Sequence, residues 1–339
     1  MRNFALKCGV LNPAKFPIKI NEVFAIPFYS FIFSLVLMPI SRRDFLSLLG
    51  YGGMAGTVSC LPAILKTPKC YSYNKALLIG IDGLRSDALL KASTPTIDAL
   101  IAGGAYSLDA QAGMHTISGP GWSNILTGVW ENKHGVVDNT FKGADYIRHP
   151  SIFTKLEQLN PRLSTKSIVS WDGIQNNIIT QADKRLYFPY FENGDVEVAR
   201  NSISTLQNEN PDLMFTYFSN VDVAGHRYGF GPEVPEYIRE IQTIDYHIGN
   251  IMYALISRSS SIVENWLVLI VSDHGGTGKG HGGQSPEEKT IPFIMWGNTV
   301  NKRKIVPFPL QVDVMPTILN HLKVEVSDSW DLDGSAVEL

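Results

Sequence analysis

Three apolar runs in this chain each lead to an aspartate, and helix-like sequence separates them. "ALLIGI" leads to Asp82, "LMFTYFSNV" to Asp222 and "LVLIVS" to Asp273. Short, continuous apolar runs of this kind fit strands buried on both faces, as in a parallel sheet. Between the second and third, Ile238, Ile241, Ile244, Ile248, Ile251 and Leu255 recur at helical spacing, which supplies the crossover two parallel strands need. The expected architecture is α/β, a three-layer α/β/α sandwich with a largely parallel central sheet. In such sheets ligands collect outside the carboxyl ends of the strands, so three aspartates distant in sequence are expected to converge. With 339 residues, 44% of them hydrophobic and 18% charged, the chain can fill the core this requires. A net charge of −3 provides no polybasic field, which argues against polymeric nucleic acid as a partner and leaves phosphate recognition to local groups.

A lone aspartate after a strand is usually the cap of the next helix. Histidines change that reading here. His226 follows Asp222 by four residues in "DVAGHRYG", one turn if the segment is helical. His274 adjoins Asp273, and His281 follows in "SDHGGTGKGHGG", whose six glycines let the chain fold back so that both imidazoles reach one point. Asp172, closing "SIVSWDG", has no histidine beside it and reads as a loop or cap residue. His115, His134, His149, His247 and His321 read as surface or packing residues, and Lys279 as solvent-facing. Oxygen and nitrogen donors without thiolate suit Zn²⁺, with Mn²⁺ or Fe as poorer fits. Six of them exceed what one tetrahedral ion takes, so two ions are expected.

In "HTISGPGWSNILTGVW", Pro120 suits the first turn of a helix continued by Trp122, Ile125, Leu126 and Val129. Ser118 then sits at the helix N-terminus. Alone it reads as an ordinary N-cap; against a metal, with free backbone amides favouring an anion, it reads as a nucleophile.

In their order, "GIDGLRSD", "TPTIDAL", "TGVWENKHGVVDN", "DVAGHRYG", "SDHGG…GHGG" and "VDVMPTILNHL…DLDG" resemble the alkaline phosphatase superfamily, and within it the type I phosphodiesterase and nucleotide pyrophosphatase branch. The resemblance runs from about Lys75 to the C-terminus. It implies an alkaline phosphatase-like fold with two zinc ions, one held by Asp222, His226 and His281, the other by Asp82, Asp273, His274 and the nucleophile Ser118. It also implies that Asn139 donates to a nonbridging phosphate oxygen, and that small phosphodiesters or nucleotide-like molecules are hydrolysed through a phosphoseryl intermediate. Where the branch usually carries threonine, phenylalanine and proline, this chain has Ser118, Gly119 and Pro120. Gly119 thus removes an aromatic that in the family helps stack a nucleobase, a role left to Trp122 or another aromatic. Trp122 stands where the superfamily's sulfatases need arginine, which argues against sulfatase activity. A phosphomonoesterase or phosphonate hydrolase on the same site, and a non-catalytic exported binding protein, are the competing readings.

Residues 1–65 read as a targeting region ahead of a single catalytic domain over 66–339. "SRRDFLSLLGYGGMAG" places Arg42 and Arg43 before an apolar, glycine-rich stretch and resembles a twin-arginine export signal, which predicts an exported, periplasmic protein. "VFAIPFYSFIFSLVLMPI" is interrupted by Pro27 and Pro39, and membrane association is expected, if at all, only through this N-terminal part. "TVSC" at Cys60 is a weak lipidation box, and Met38 is an alternative start. All three cysteines, Cys8, Cys60 and Cys70, fall in the first seventy residues, so the chain beyond them has neither disulfide nor thiolate metal site.

Overall fold

In the computed structural model, residues 73–339 are described. The twin-arginine pair, the proline-interrupted apolar stretch and Cys60 lie outside the described residues. The first half comprises β1 (Tyr73–Ile81), α1 (Ser86–Lys91), α2 (Pro95–Gly103), β2 (Ala105–Gln111), α3 (Ser118–Thr127), α4 (Glu131–His134), α5 (Ile152–Leu159), β3 (Thr165–Val169) and β4 (Lys184–Tyr187). The second comprises α6 (Gly194–Asn208), β5 (Leu213–Phe218), α7 (Asn220–Tyr228), α8 (Pro235–Ile256), β6 (Glu264–Val271), α9 (Pro286–Lys289), β7 (Thr290–Gly297), β8 (Arg303–Lys304) and α10 (Val314–Leu322).

The strands form one sheet in the order β4-β3-β5-β1-β6-β7-β2-β8. β1 is parallel to β5 and β6, β3 to β4 and β5, and β2 to β8, while β7 is antiparallel to both of its neighbours. The reversal has a local cause. α8 carries the chain from the β5 end back to start β6, but only the glycine loop and the four-residue α9 connect β6 to β7, too little for a crossover, so the chain returns antiparallel. That loop leaves and re-enters the sheet at the carboxyl end of β6 and stays above it.

Alternate side chains of β1 feed two cores. Leu77, Ile79 and Ile81 pack with Ile241, Ile244 and Ile248 of α8, and Ala76 and Leu78 with Trp122 and Ile125 of α3 and Ile318 of α10. Each fully buried aliphatic side chain of this size contributes roughly 1.5–3 kcal/mol, which fixes helices on both faces and completes the three layers. Among the described residues no helix is long and apolar enough to cross a membrane.

Candidate active site

β5, β1 and β6 lie side by side at the centre of the sheet, and the chain leaving their carboxyl ends puts three carboxyl groups in one cleft. Asp82 directly follows β1. Its Oδ2 accepts from the Trp122 indole N–H at 3.1 Å and the Tyr217 hydroxyl at 2.5 Å, and its buried Oδ1 accepts no hydrogen bond. Asp273 lies two residues past β6; its Oδ1 accepts from the Gly83 N–H at 3.1 Å and its Oδ2 has no partner. Asp222 differs from the strand-end expectation: β5 stops at Phe218, and Asp222 falls in the first turn of α7. The helical pitch then sets His226 Nε2 3.4 Å from Asp222 Oδ2, while Oδ1 is again without a hydrogen bond. Gly83 permits this approach. Its φ is +67°, and a Cβ there would sit 2.8 Å from Asp222 Oδ1. Burial raises all three carboxyls above their ordinary 3.8, Asp222 and Asp273 well above, with the neighbouring Asp82 charge adding to the latter two.

The imidazoles carry the complementary pattern. His274 Nδ1 lies 2.7 Å from the Gly275 carbonyl, His281 Nδ1 2.8 Å from that of Thr116, and His226 Nδ1 3.0 Å from that of Lys279. A carbonyl oxygen can only accept, so each Nδ1 carries a proton, which leaves the Nε2 of a neutral ring as a lone-pair donor. Those lone pairs face carboxylates and one another. His274 Nε2 is 3.3 Å from Asp273 Oδ2 and 3.6 Å from Asp82 Oδ1, His281 Nε2 is 3.5 Å from Asp222 Oδ1, and His226 Nε2 is 3.0 Å from His281 Nε2. Burial lowers His274 and His281 to about 4, so near neutrality these two rings do not supply positive charge to the cluster. Cations do. Donor atoms of Asp82, Asp273 and His274 lie within 4.8 Å of one another, as do those of Asp222, His274 and His281, and His226 joins the second group.

Ser118 is the first residue of α3, but the cap position belongs to Ile117. The serine Oγ lies 3.4 Å from His274 Nε2, so it faces the cluster. Asn139 Oδ1 accepts from the Gly119 N–H at 2.7 Å, and the residue lines the same cleft, a cavity of about 410 Å³. The glycine is required for this contact, since a Cβ on Gly119 would meet the Asp138 carbonyl at 2.7 Å and Asn139 Oδ1 at 3.0 Å. Gly119 is therefore what brings Asn139 against the Ser118 segment, besides being the absence of an aromatic ring.

Several roles were not apparent from the sequence. Trp171 and Tyr190 line the cavity and give it an aromatic wall, with Phe141 5.9 Å behind Trp171. Trp122 is fully buried and braces Asp82 from below, so it offers no surface to a ligand. Arg227, immediately after His226, lines the cavity, whereas the Lys279 ammonium is exposed and donates to the Arg227 carbonyl at 2.9 Å. Its place beside a site histidine is the one signal that marked it. His134 is fully buried within the packing: Nδ1 accepts from the Val136 N–H at 3.0 Å, and Nε2 lies 2.8 Å from Asn124 Oδ1.

Residues 76–163 and 150–280 match the sequence profile of the type I phosphodiesterase / nucleotide pyrophosphatase family, well over half of the chain. The chain belongs to this family. Among curated proteins it is similar to bis(5'-adenosyl)-triphosphatase ENPP4 of Bos taurus, 28% identical over 222 residues that cover 60% of this chain and 48% of that protein. It is also similar to ectonucleotide pyrophosphatase/phosphodiesterase family member 1 of Homo sapiens, 25% identical over 233 residues, 63% of this chain and 24% of that protein. The matches thus span about half or less of these relatives' length. Of solved structures, a 2-O GAG sulfatase superposes with a TM-score of 0.64 at 14% identity, covering 78% of this chain and 73% of the other. Murine ectonucleotide pyrophosphatase/phosphodiesterase 5 gives a TM-score of 0.59 at 15% identity, covering 76% and 99%. At such identities the structural likeness establishes the alkaline phosphatase-like fold alone. The phosphodiesterase family match takes in every cleft residue named above except His281, which follows its last position by one residue.

Proposed function

We propose that this phosphodiesterase family member hydrolyses phosphodiester or pyrophosphate bonds of small, nucleotide-like molecules, with Ser118 as nucleophile and two divalent cations, zinc by donor chemistry, as cofactors. The observation that carries the reading is the set of buried oxygens without hydrogen bonds, Asp82 Oδ1, Asp222 Oδ1 and Asp273 Oδ2, gathered with imidazole Nε2 atoms that hold no proton. Asp222, His226 and His281 would hold one ion and Asp82, Asp273, His274 and Ser118 the other, and the bound ions would supply positive charge to the phosphoryl oxygens and acidify the serine hydroxyl. Ser118 Oγ bonds to phosphorus as the bond from phosphorus to the leaving oxygen breaks, and water then cleaves the phosphoseryl ester and restores the serine. The Asn139 side-chain NH2, oriented by the bond its Oδ1 accepts from the Gly119 N–H, donates to a nonbridging oxygen. Trp171 and Tyr190 provide a face for a flat ring. In keeping with this, ENPP4 is described as a bis(5'-adenosyl)-triphosphatase, and murine member 5 has been solved with AMP.

One observation favours monoester substrates as a second reading: the basic residue Arg227 is among those lining the cavity. The deciding experiment assays the purified full chain, metal-stripped and zinc-restored, on an aryl phosphate monoester, its methyl diester and a dinucleotide pyrophosphate. Activity abolished by chelation, restored by zinc and highest on the diester or pyrophosphate supports the proposal; full activity in strong chelator refutes it. Export by the twin-arginine route belongs to the same reading, and Arg42→Lys with Arg43→Lys should hold the protein in the cytoplasm.

A further inference from the structure

We infer that Thr116 is a positioning residue that latches the segment carrying Ser118 to the loop carrying His281. The inference rests on the metal reading above. Thr116 is fully buried, and it grips three consecutive residues of the loop. Its hydroxyl donates to the Gly283 carbonyl at 2.8 Å and accepts from the Gly282 N–H at 3.0 Å, and its own carbonyl accepts from His281 Nδ1 at 2.8 Å.

Residues 281–283 need such a hold because the backbone bonds that shape the loop internally, between Thr277 and Gly280, stop before His281. A Cβ on Gly278 or Gly280 would meet nothing within 4 Å, and Gly282 has a φ of +116°. From the far side Glu288 pins it through the Gly283 N–H at 2.7 Å and the Ser285 N–H at 3.1 Å, while the earlier part of the loop is tied by the Phe230 N–H to the Gly278 carbonyl at 2.7 Å and by Arg85 Nη1 to the Gly276 carbonyl at 2.9 Å. The Thr116 carbonyl fixes which His281 nitrogen holds the proton, and its hydroxyl fixes where the ring stands. Ser118 lies two residues away on the same segment. One side chain therefore sets the His281 Nε2 lone pair and the serine Oγ in a common frame. Groups that orient a metal ligand through hydrogen bonds typically carry about 10–100-fold in metal affinity, and small misplacement of a nucleophile is costly in rate.

The test compares wild type, Thr116→Val and Thr116→Ser in the full chain. Valine keeps the size and removes both hydroxyl bonds; serine keeps the hydroxyl. Zinc affinities are read by competition with a chromophoric chelator, hydrogen exchange over residues 281–283 is read on metal-free protein, and kcat and KM are read on an aryl methyl diester. Thr116→Val should weaken one of the two zinc ions by about 10–100-fold, leave the other within about twofold, speed exchange at the Gly282 amide and lower kcat more than it raises KM. Thr116→Ser should restore all four. Unchanged affinity and exchange in the valine variant would overturn the inference, as would equal loosening of both ions with a general fall in melting temperature, or no rescue by serine. Should valine prevent folding, Thr116→Ala supplies the same comparison. If the wild type takes up no zinc, the metal reading fails on its own; the latch then stands or falls on whether exchange quickens in the valine variant and recovers in the serine one.

Discussion

On the proposed reading, Arg227, which lines the cavity, is the residue placed to set how much negative charge the cleft accepts. A phosphate monoester carries about −1.5 to −2 near neutrality, and a diester only one full charge. Asn139 is neutral and can donate to an oxygen without balancing that difference. Lys279 is directed to the Arg227 carbonyl, whereas Arg227 is the basic residue among those lining the cavity, its guanidinium 5.2 Å from the Tyr228 ring. Arg227→Ala should therefore lower kcat/KM for an aryl monoester by about tenfold or more while changing the methyl diester by less than about twofold, and Lys279→Ala should leave the ratio alone. Equal losses on both substrates would mean that Arg227 does not read charge. Ser118 separates chemistry from stability in the same way. Because Ile117 occupies the cap position and the serine Oγ faces His274, Ser118→Ala should cost on the order of 10⁴-fold or more in kcat and leave the melting temperature within about 2 °C. A variant that is less stable yet equally active would return the serine to a structural role.

Helix α7 brings Asp222 and His226 to the cleft, and its start is set by a residue from another helix. Asp195, in the first turn of α6, accepts from the Ser219 N–H at 3.1 Å, the Asn220 N–H at 2.9 Å and the Ser170 hydroxyl at 2.5 Å. Burial lifts its carboxyl to about 6 against the pull of these donors. Asp195→Ala removes the acceptor of the Asn220 N–H and leaves the Ser219 N–H with Ser170 Oγ, 3.1 Å away, as its remaining acceptor, at about 1–3 kcal/mol, and should lower the melting temperature by several degrees, which calorimetry would measure; no change would show that water or a neighbour replaces the carboxylate. This contact also explains where sequence reading stopped. β1 and β6 were legible because each is an unbroken apolar run that meets its aspartate within two residues, and α8 because its isoleucines keep helical period. "LMFTYFSNVD" looks the same, yet the strand gives way to helix near Ser219 because an acceptor more than twenty residues upstream takes the Ser219 and Asn220 amides. Close approaches across the fold, such as that of Gly119 to Asp138, leave no local signature either. Asp82, Ser118, Asp222, His226, Asp273, His274 and His281 were recognisable as a group because residue type and order mark them, whereas Trp171 and Tyr190 owe their position at the cleft to tertiary placement alone and Arg227 was marked only by following His226.

For the whole molecule, the cleft is a store of unfavourable charge that folding builds and cations relieve, so metal content should reverse the pH dependence of stability. In the metal-free chain the carboxyls of Asp82, Asp222 and Asp273 titrate above the ordinary 3.8 they have when unfolded. A group raised in this way contributes stability that is complete below its unfolded value and is lost as pH rises through its folded value. His274 and His281 act oppositely: lowered from 6.5 to about 4, they contribute stability that is present above 6.5 and lost as pH falls through about 4. Above 6.5 those imidazoles are neutral in both states and drop out, and Lys155, lowered by burial to about 8, adds stability only as pH rises through that value, so the slope below about 8 is the one to read for the carboxyls. The metal-free protein should thus lose melting temperature as pH rises through the range in which these carboxyls ionise in the folded state. With zinc in excess the sign changes. Binding requires unprotonated carboxylates and imidazoles, so affinity grows with pH, and the folded state gains RT ln(1 + [L]/Kd) as it does. Calorimetric melts of chelated and zinc-loaded protein across that range should therefore diverge, the loaded form holding or gaining stability while the stripped form declines. Asp222→Asn, which removes one buried charge and one donor, should flatten the decline of the stripped form and shrink the gain on loading. Parallel curves for the stripped and loaded wild type would mean that the three carboxyls are not relieved by metal.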